Sequence, residues 1–197
     1  MPIDAQDPIS EIAAVNIMLG VVGQAPIVSL ESPVLGVAVA ITVLAEVSRS
    51  FQTTGWSFNT QANAELGPSA DEDSGRIPLT NILKVTAPRK KLSVRGGYLF
   101  DADRYSDDFT DTTCTGLTIV HALAFDDLPP SARYYVAVRA ARTYQKRVLS
   151  ETALDRFSAE DEYNALTTFL DSEAEVSTYS IFDHPDTGSI LPRYWNR

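Results

Sequence analysis

The chain has 197 residues with 26 acidic against 16 basic side chains, a net charge of −10, and 44% hydrophobic and 21% charged residues. That length suits one domain, or one domain with an inserted lobe, and the composition excludes the disordered class. The acidity argues against a duplex-DNA binder that works by neutralising phosphates, though not against DNA passing nearby, and the single cysteine, Cys114, excludes a disulfide framework or a cysteine-based zinc site.

Met1 to Asp7 carries acids and no basic region, so it does not read as a secretory signal. Asp7-Pro8 predicts the start of a first helix, about Pro8 to Val22, with Ile9, Ile12, Ala13, Asn16, Leu19 and Gly20 on its inner face. Gly23-Gln24-Ala25-Pro26 breaks it and turns the chain into a second helix. Ser32 at the N-cap and Pro33 at the first helical position open that helix, and Gly55 closes it in the left-handed conformation. Leu35, Ala38, Ile41, Ala45 and Ser48 form one apolar row; Val34, Val37, Ile41, Leu44 and Phe51 form another. A face this wide predicts a helix sandwiched between partners. The run contains Thr42 and Glu46 and is short for a bilayer, so a soluble intracellular product with no membrane contact is expected.

After Gly55 the period changes: Trp56 and Phe58 alternate with Ser57 and Asn59, as in a strand. Ala62 to Arg76 is polar and predicts a long loop. Ile77-Pro78-Leu79 and Ile82 to Thr86 predict short strands. Leu92 to Arg95, Gly96-Gly97 and Tyr98 to Asp101 predict a hairpin around a Gly-Gly turn. Leu117 to Phe125 predicts the last strand. A third helix is expected from about Pro130 to Leu149, and a fourth from Ser158 to Thr178, where Ser158 to Asp161 fits a capping box. The third is basic (Arg133, Arg139, Arg142, Lys146, Arg147) and the fourth acidic (Glu160, Asp161, Glu162, Asp171, Glu173, Glu175), which favours an antiparallel helix pair; two solvated faces, or a basic face against an acidic neighbouring subunit, give the same pattern. Periodicity gives an α+β fold. The tail from Ser180 ends in Arg193-Tyr194-Trp195-Asn196-Arg197; Arg193, Tyr194, Trp195 and Arg197 are of the types that anchor interfaces.

The search for chemistry yields no catalytic site. The chain contains no phosphate-binding glycine loop, no dinucleotide fingerprint, no H-E-x-x-H and no G-x-S-x-G. His121 reads as a structural strand histidine, and His184 beside Asp183 and Asp186 is a weak metal candidate. Asp71-Glu72-Asp73-Ser74-Gly75 fails as a calcium loop, because Gly75 stands where a ligand is needed; the Asp101/Asp103 pair fails similarly. Lys90-Lys91 with Arg89 and Arg95 is the one dense basic spot, which suits DNA, an acidic partner or a guarded strand edge. No cofactor is expected.

Four strings occur in order: Ala14-Val15-Asn16 with Leu19 and Gly23-x-x-Pro26; Gly55-Trp56-Ser57-Phe58-Asn59; Arg95-Gly96-Gly97-Tyr98-Leu99-Phe100-Asp101; and Phe125-Asp126-Asp127-Leu128-Pro129. Together they resemble the tail tubular protein A family, the adaptor ring of short-tailed bacteriophages. The loops 63–76 and 104–116 differ from it. The resemblance implies a four-helix bundle with an antiparallel β-rich lobe inserted between helices 2 and 3 and an extended C-terminal tail. The corresponding boundaries are 1–55 for helices 1 and 2, 56–125 for the lobe, 126–179 for helices 3 and 4, and 180–197 for the tail. It further implies a dodecameric ring between portal and tail nozzle, assembled in the host cytoplasm and residing in the virion, with DNA leaving through the lumen unbound. Under that resemblance Gly55, Trp56, Phe58, Arg95, Gly96, Gly97 and Tyr98 are scaffold residues, and Arg193, Tyr194, Trp195 and Arg197 are candidate portal anchors. The rival readings are a tail component that also hydrolyses glycan, through carboxylates the sequence does not single out, and a non-viral oligomeric binding module.

Overall fold

The computed structural model describes residues 9–31, 34–68, 75–88, 90–110, 112–149 and 155–176, without the side chains of 155–158. Within these lie four helices, α1 (Glu11–Val21), α2 (Leu35–Gln52), α3 (Pro130–Leu149) and α4 (Asp155–Val176), and five strands, β1 (Thr60–Leu66), β2 (Ile82–Thr86), β3 (Leu92–Arg95), β4 (Tyr98–Asp101) and β5 (Cys114–His121). All strand pairing is antiparallel, so the fold is α+β as the periodicity indicates.

Helix α1 starts later than expected. Ser10 is its N-cap, and its hydroxyl oxygen accepts the Ala13 amide at 3.3 Å. Its buried stripe is Ala14, Val15, Met18 and Leu19, so the expected inner face was rotated; of that set only Leu19 is fully buried. Asn16 has a different job. Its side-chain amide donates to the Ile27 carbonyl and accepts the Ile27 amide, which clamps the link between α1 and α2.

Helix α2 begins at Leu35, with Val34 at the N-cap and no side-chain cap, which displaces the expected Ser32-Pro33 start; those two residues lie outside the described set. Its buried residues, Val37, Ala40, Val43, Leu44, Val47, Ser48, Phe51 and Gln52, follow helical spacing and make one stripe against α1 and α3. The expected sandwich is therefore corrected. Leu35 is 79% exposed, and Val34, Ala38, Val39 and Ala45 are exposed beside it. By length and composition α2 is apolar enough to cross a membrane, but its buried stripe is part of the helical core.

Helix α3 occupies the expected span and packs against α1, α2 and α4. Two contacts set the direction of α4: Ser131, at the start of α3, bonds Ser172, near the end of α4, while Arg142, near the end of α3, meets Glu162 near the start of α4. The pair is antiparallel, as the charge complementarity indicated. Glu162 is 2.7 Å from Arg142 and 3.9 Å from Arg139. Arg147 turns instead to Glu46 of α2, at 2.9 Å. Helix α4 starts at Asp155 and ends at Val176, so Ser158 lies within it and not at its cap.

The three-stranded sheet has the order β1-β5-β2, and β3 and β4 form a separate hairpin. Three expectations change here. Ser57–Asn59 is a 3-10 turn, so the Trp56/Phe58 alternation does not mark a strand; both rings lean on the helical core. The polar stretch 62–66 belongs to β1, which pairs with β5 through register shifts on either side of Ala64, its only buried residue. Residues 77–79 make only a bridge, Pro78 with Tyr98, flanked by bonds from Leu79 to Gly97 and from Leu99 to Ile77. The last strand begins at Cys114 and ends at His121; 122–124 lie outside any element and Phe125–Asp127 is a second 3-10 turn. The hairpin appears as read, Leu92 opposite Asp101 and Arg95 opposite Tyr98. Gly96 and Gly97 have φ of +60° and +84°, and a Cβ on either would meet open space. Alanine at both should therefore cost only the backbone term, about 1–2 kcal/mol per residue, measurable as a shift in denaturant midpoint; an unchanged midpoint would show that the turn does not need glycine.

Two hydrophobic clusters result. One gathers the four helices with Phe125 and Leu128. The other gathers the strands around Ile77, Val85, Leu99, Phe109, Leu117 and Ile119, with Cys114 buried among them.

Candidate functional site

The matched strings fold into two places. The first is the joint between α2 and the three-stranded sheet. Helix α2 ends with Phe51-Gln52, and Gly55, at φ +86°, reverses the chain. The Trp56 indole nitrogen then donates back to the Phe51 carbonyl at 2.9 Å. Phe51 stands at the centre of an aromatic cluster, with ring centroids 5.2 Å from Trp56, 5.1 Å from Tyr135 and 5.0 Å from Phe169 of α4. Trp56 meets Phe169 edge-on at 4.7 Å, and Phe58 flanks the group. Glu173 of α4 accepts the Ser57 amide and ties the turn to α4.

Beneath the rings lies a buried amide pair. Asn59 accepts the Trp56 amide at 2.8 Å and donates to the carbonyls of Gln52 and His121, each at 3.0 Å. Gln52 donates to Ser48 and to the Leu123 carbonyl, and accepts the Leu123 amide at 2.7 Å. Both side chains are almost fully buried. Their bonds join the end of α2 to the exit of β5, 71 residues away for Gln52 and Leu123. The sequence reading included Asn59 in the matched string without a role, and missed Gln52 and Phe169. Asn59 is detectable as a capping type just after the Gly55 break, whereas Gln52 and Phe169 have no local signal.

The second place is the hairpin. The Arg95 guanidinium lies 4.1 Å from the Phe100 ring centre and 5.6 Å from that of Tyr105. Arg76 lies 5.4 Å from the Tyr98 ring and pairs with Asp107 at 2.9 Å. Asp101 is buried and accepts the amides of Asp103 and Arg104, which closes the following turn. On the same side Asp108 is held below the usual carboxylate range by the Thr110 hydroxyl and then by the Thr110 amide.

His121 contacts Gln61 across β1 and β5 at 3.1 Å. Among the described residues no three His, Cys, Asp or Glu side chains converge as metal ligands would. Arg193, Tyr194, Trp195 and Arg197, together with Asp183, His184, Asp186 and the acidic stretch 71–73, lie outside the described residues. What the structure displays is surface suited to contacts. The exposed face of α2 is one. Another is a cavity of about 240 Å³ lined by Ile17, Val21, Tyr134, Val138, Ala141 and Asp161 among others. Exposed apolar surface of this kind is found at protein contacts, membrane contacts and ligand grooves.

The family model for the tail tubular protein matches residues 12–179, most of the chain and all of the described helices but the first residue of α1. The chain belongs to the tail tubular protein family. No curated protein matches it. As a tail tubular protein it is a structural component of a phage tail, resides in the virion, and assembles there with other virion proteins. The two glycine strings thus lie at a joint and at a hairpin of a tail tubular protein, and both hold backbone geometry.

Proposed function

We propose that this tail tubular protein is the adaptor of a short-tailed phage: a ring, twelve-fold as the resemblance suggests, between the portal and the tail nozzle, with DNA leaving through its lumen. The observation that carries the reading is the family match over residues 12–179, supported by the exposed apolar faces of α2 and of the α1/α3 cavity. In this reading 1–55 and 126–179 form the helical body, 56–125 the β-rich lobe and 180–197 a tail. The chain performs no chemistry of its own, and the ring is built in the host cytoplasm. A net charge of −10 per copy suits an acidic lumen wall, which repels phosphates and lets DNA slide.

Arg193, Tyr194, Trp195 and Arg197 are proposed to seat the tail on the portal, because two aromatic and two guanidinium side chains within five residues combine large buried area with bidentate hydrogen bonding. The test is native mass of the purified chain alone and mixed with the portal protein of the same phage. A defined portal–adaptor complex supports the adaptor reading, and a chain that ignores the portal and forms no ring at any concentration overturns it. Deleting residues 189–197 is expected to abolish portal binding while leaving the unfolding transition in place; unchanged binding refutes the anchor.

A further inference from the structure

We propose that the open groove on α3, between α1 and α4, receives the exposed face of α2 from a second copy of this chain. Helix α3 carries α1, α2 and α4 on three of its sides, and α1 and α4 stand apart from one another. The fourth side of α3 shows Tyr134, Val138, Ala141 and Gln145, spaced four, three and four residues apart, which makes one row. Tyr135 and Arg142, which meet Phe169 and Glu162 of α4, each follow a member of that row by one position, about 100° round the helix. Helix α4 therefore stands beside the row and does not cover it. Ile17 and Val21 of α1 wall the groove on one side and Asp161 of α4 on the other; Ile17, Val21 and Tyr134 are exposed in it. Helix α2 carries a matching row. Leu35, Ala38, Thr42, Ala45 and Arg49 recur at three and four residues with Val39 beside them, and all six are exposed. No residue of α2 lines the groove, so one copy can receive a neighbour on α3 while giving its own α2 to the next. Such a head-to-tail contact closes into a ring when the rotation between copies divides a full turn.

Symmetry fixes the direction of the incoming helix. Twelve copies turn by about 30° from one to the next, so the neighbour's α2 keeps nearly the direction of the recipient's own. That direction is antiparallel to α3: Phe51, near the end of α2, meets Tyr135 near the start of α3, and the Gly36 carbonyl accepts the Tyr144 hydroxyl. Leu35 of the neighbour then lies over Gln145, Ala45 over Tyr134, and Arg49 reaches past Tyr134 towards the end of α4. On α4, Thr168, Asp171 and Glu175 follow Asp161 at helical spacing on the groove side. Asp171 and Glu175 stand at the end where Arg49 arrives. These three charges are exposed, and none is in an ion pair with a described residue. The same symmetry that sets the direction thus brings opposite charges together. The stretches Leu35 to Arg49 and Asp161 to Glu175 are also equal in length, about 21 Å at the α-helical rise. Residues 177–197, which follow α4, are the rival occupant. Their insertion would leave the face of α2 bare, whereas one contact between copies covers both surfaces. The inference rests on the ring reading above.

The test is disulfide formation between full-length variants, alone and with the portal protein of the same phage, with native mass recording whether a ring is present. The parent chain, whose Cys114 is buried, is the control. Ala45→Cys mixed with Tyr134→Cys is expected to give a covalent dimer. Leu35→Cys mixed with Tyr134→Cys is expected to give about fivefold less or lower, because those sites lie ~15 Å apart in this register and a disulfide needs them within about 7 Å. A ring without the Ala45–Tyr134 dimer, or one that prefers Leu35–Tyr134, overturns the proposal and leaves the ring reading standing. No ring in either sample overturns both. Arg49→Glu is expected to weaken association about tenfold or more, ~1.4 kcal/mol, and Asp171→Lys/Glu175→Lys in the same chain is expected to restore it. Association indifferent to Arg49→Glu, or a loss that the reversed acids do not restore, overturns the proposal. So does a Tyr134→Cys thiol that a maleimide reaches in the monomer only after residues 177–197 are deleted, because the groove would then belong to the chain's own tail.

Discussion

Replacing Phe51 by alanine should remove about 3–5 kcal/mol of stability. The ring is 3% exposed and touches the rings of Trp56, Tyr135 and Phe169, with Phe58 at 6.4 Å. Those partners come from α3, α4 and the turn after α2, so no small movement of one element refills the space. Close-packed interiors relax only partly around such a deletion, and the aromatic pairs add to the lost transfer energy. Phe51→Leu keeps most of the volume and should cost under about 1.5 kcal/mol. Urea unfolding followed by circular dichroism measures both. The ratio matters as much as the size: equal losses in the two variants, or a loss below ~1 kcal/mol for Phe51→Ala, would mean that the cluster is not closely packed.

The second large effect is expected at Asn59. Asn59→Ala strips its partner from the Trp56 amide and one donor each from the Gln52 and His121 carbonyls, although the Gln52 carbonyl keeps the Gly55 amide at 3.1 Å; a buried group left unmade costs about 1–3 kcal/mol. With the Gln52 carbonyl still paired and the other two bonds part-buried, a total of about 2–4 kcal/mol is expected. Asn59→Asp separates the polar account from the steric one. A carboxylate can accept the Trp56 amide but would face two carbonyl oxygens in a buried site, which raises its folded-state pKa above the unfolded value of about 3.9. A raised folded pKa gives stability that is present below the unfolded pKa and lost as pH rises through the folded one. Relative to the parent protein, Asn59→Asp should thus be mild in acid and severe at neutral pH. A deficit that does not change with pH would show that the site is open to water.

Much of the architecture was legible in the residues. The α3 span follows from Pro129-Pro130 before an unbroken run without helix breakers, and the β3–β4 hairpin follows from alternation around Gly96-Gly97. Local signals failed where the partner decides. Strand β1 is polar at Gln61, Asn63 and Glu65 and becomes a strand because β5 lies beside it. The Trp56/Phe58 alternation looked like a pleat, but Trp56 is the N-cap of a 3-10 turn that contains Phe58, and both rings lean on the helical core. Helix α2 was expected to be covered all round, because apolar content alone does not distinguish a core face from a face left for another molecule. At the joint, Gly55 was readable from its place after a helix. Phe169 was not, because its link to Phe51 spans most of the chain.

The amide joint also has a mechanical meaning. The backbone crosses between the helical layer and the three-stranded sheet at residues 59–60 and again at 121–124. Asn59 and Gln52 rivet those crossings to each other and to the last turn of α2. Hydrogen bonds are directional and weaken steeply as the donor angle closes, whereas apolar burial is non-directional and tolerates sliding. A fastening made of short polar bonds is therefore stiff under small loads and yields sharply at a threshold. Such a coupling keeps sheet and helices in fixed alignment and concentrates any failure at one seam.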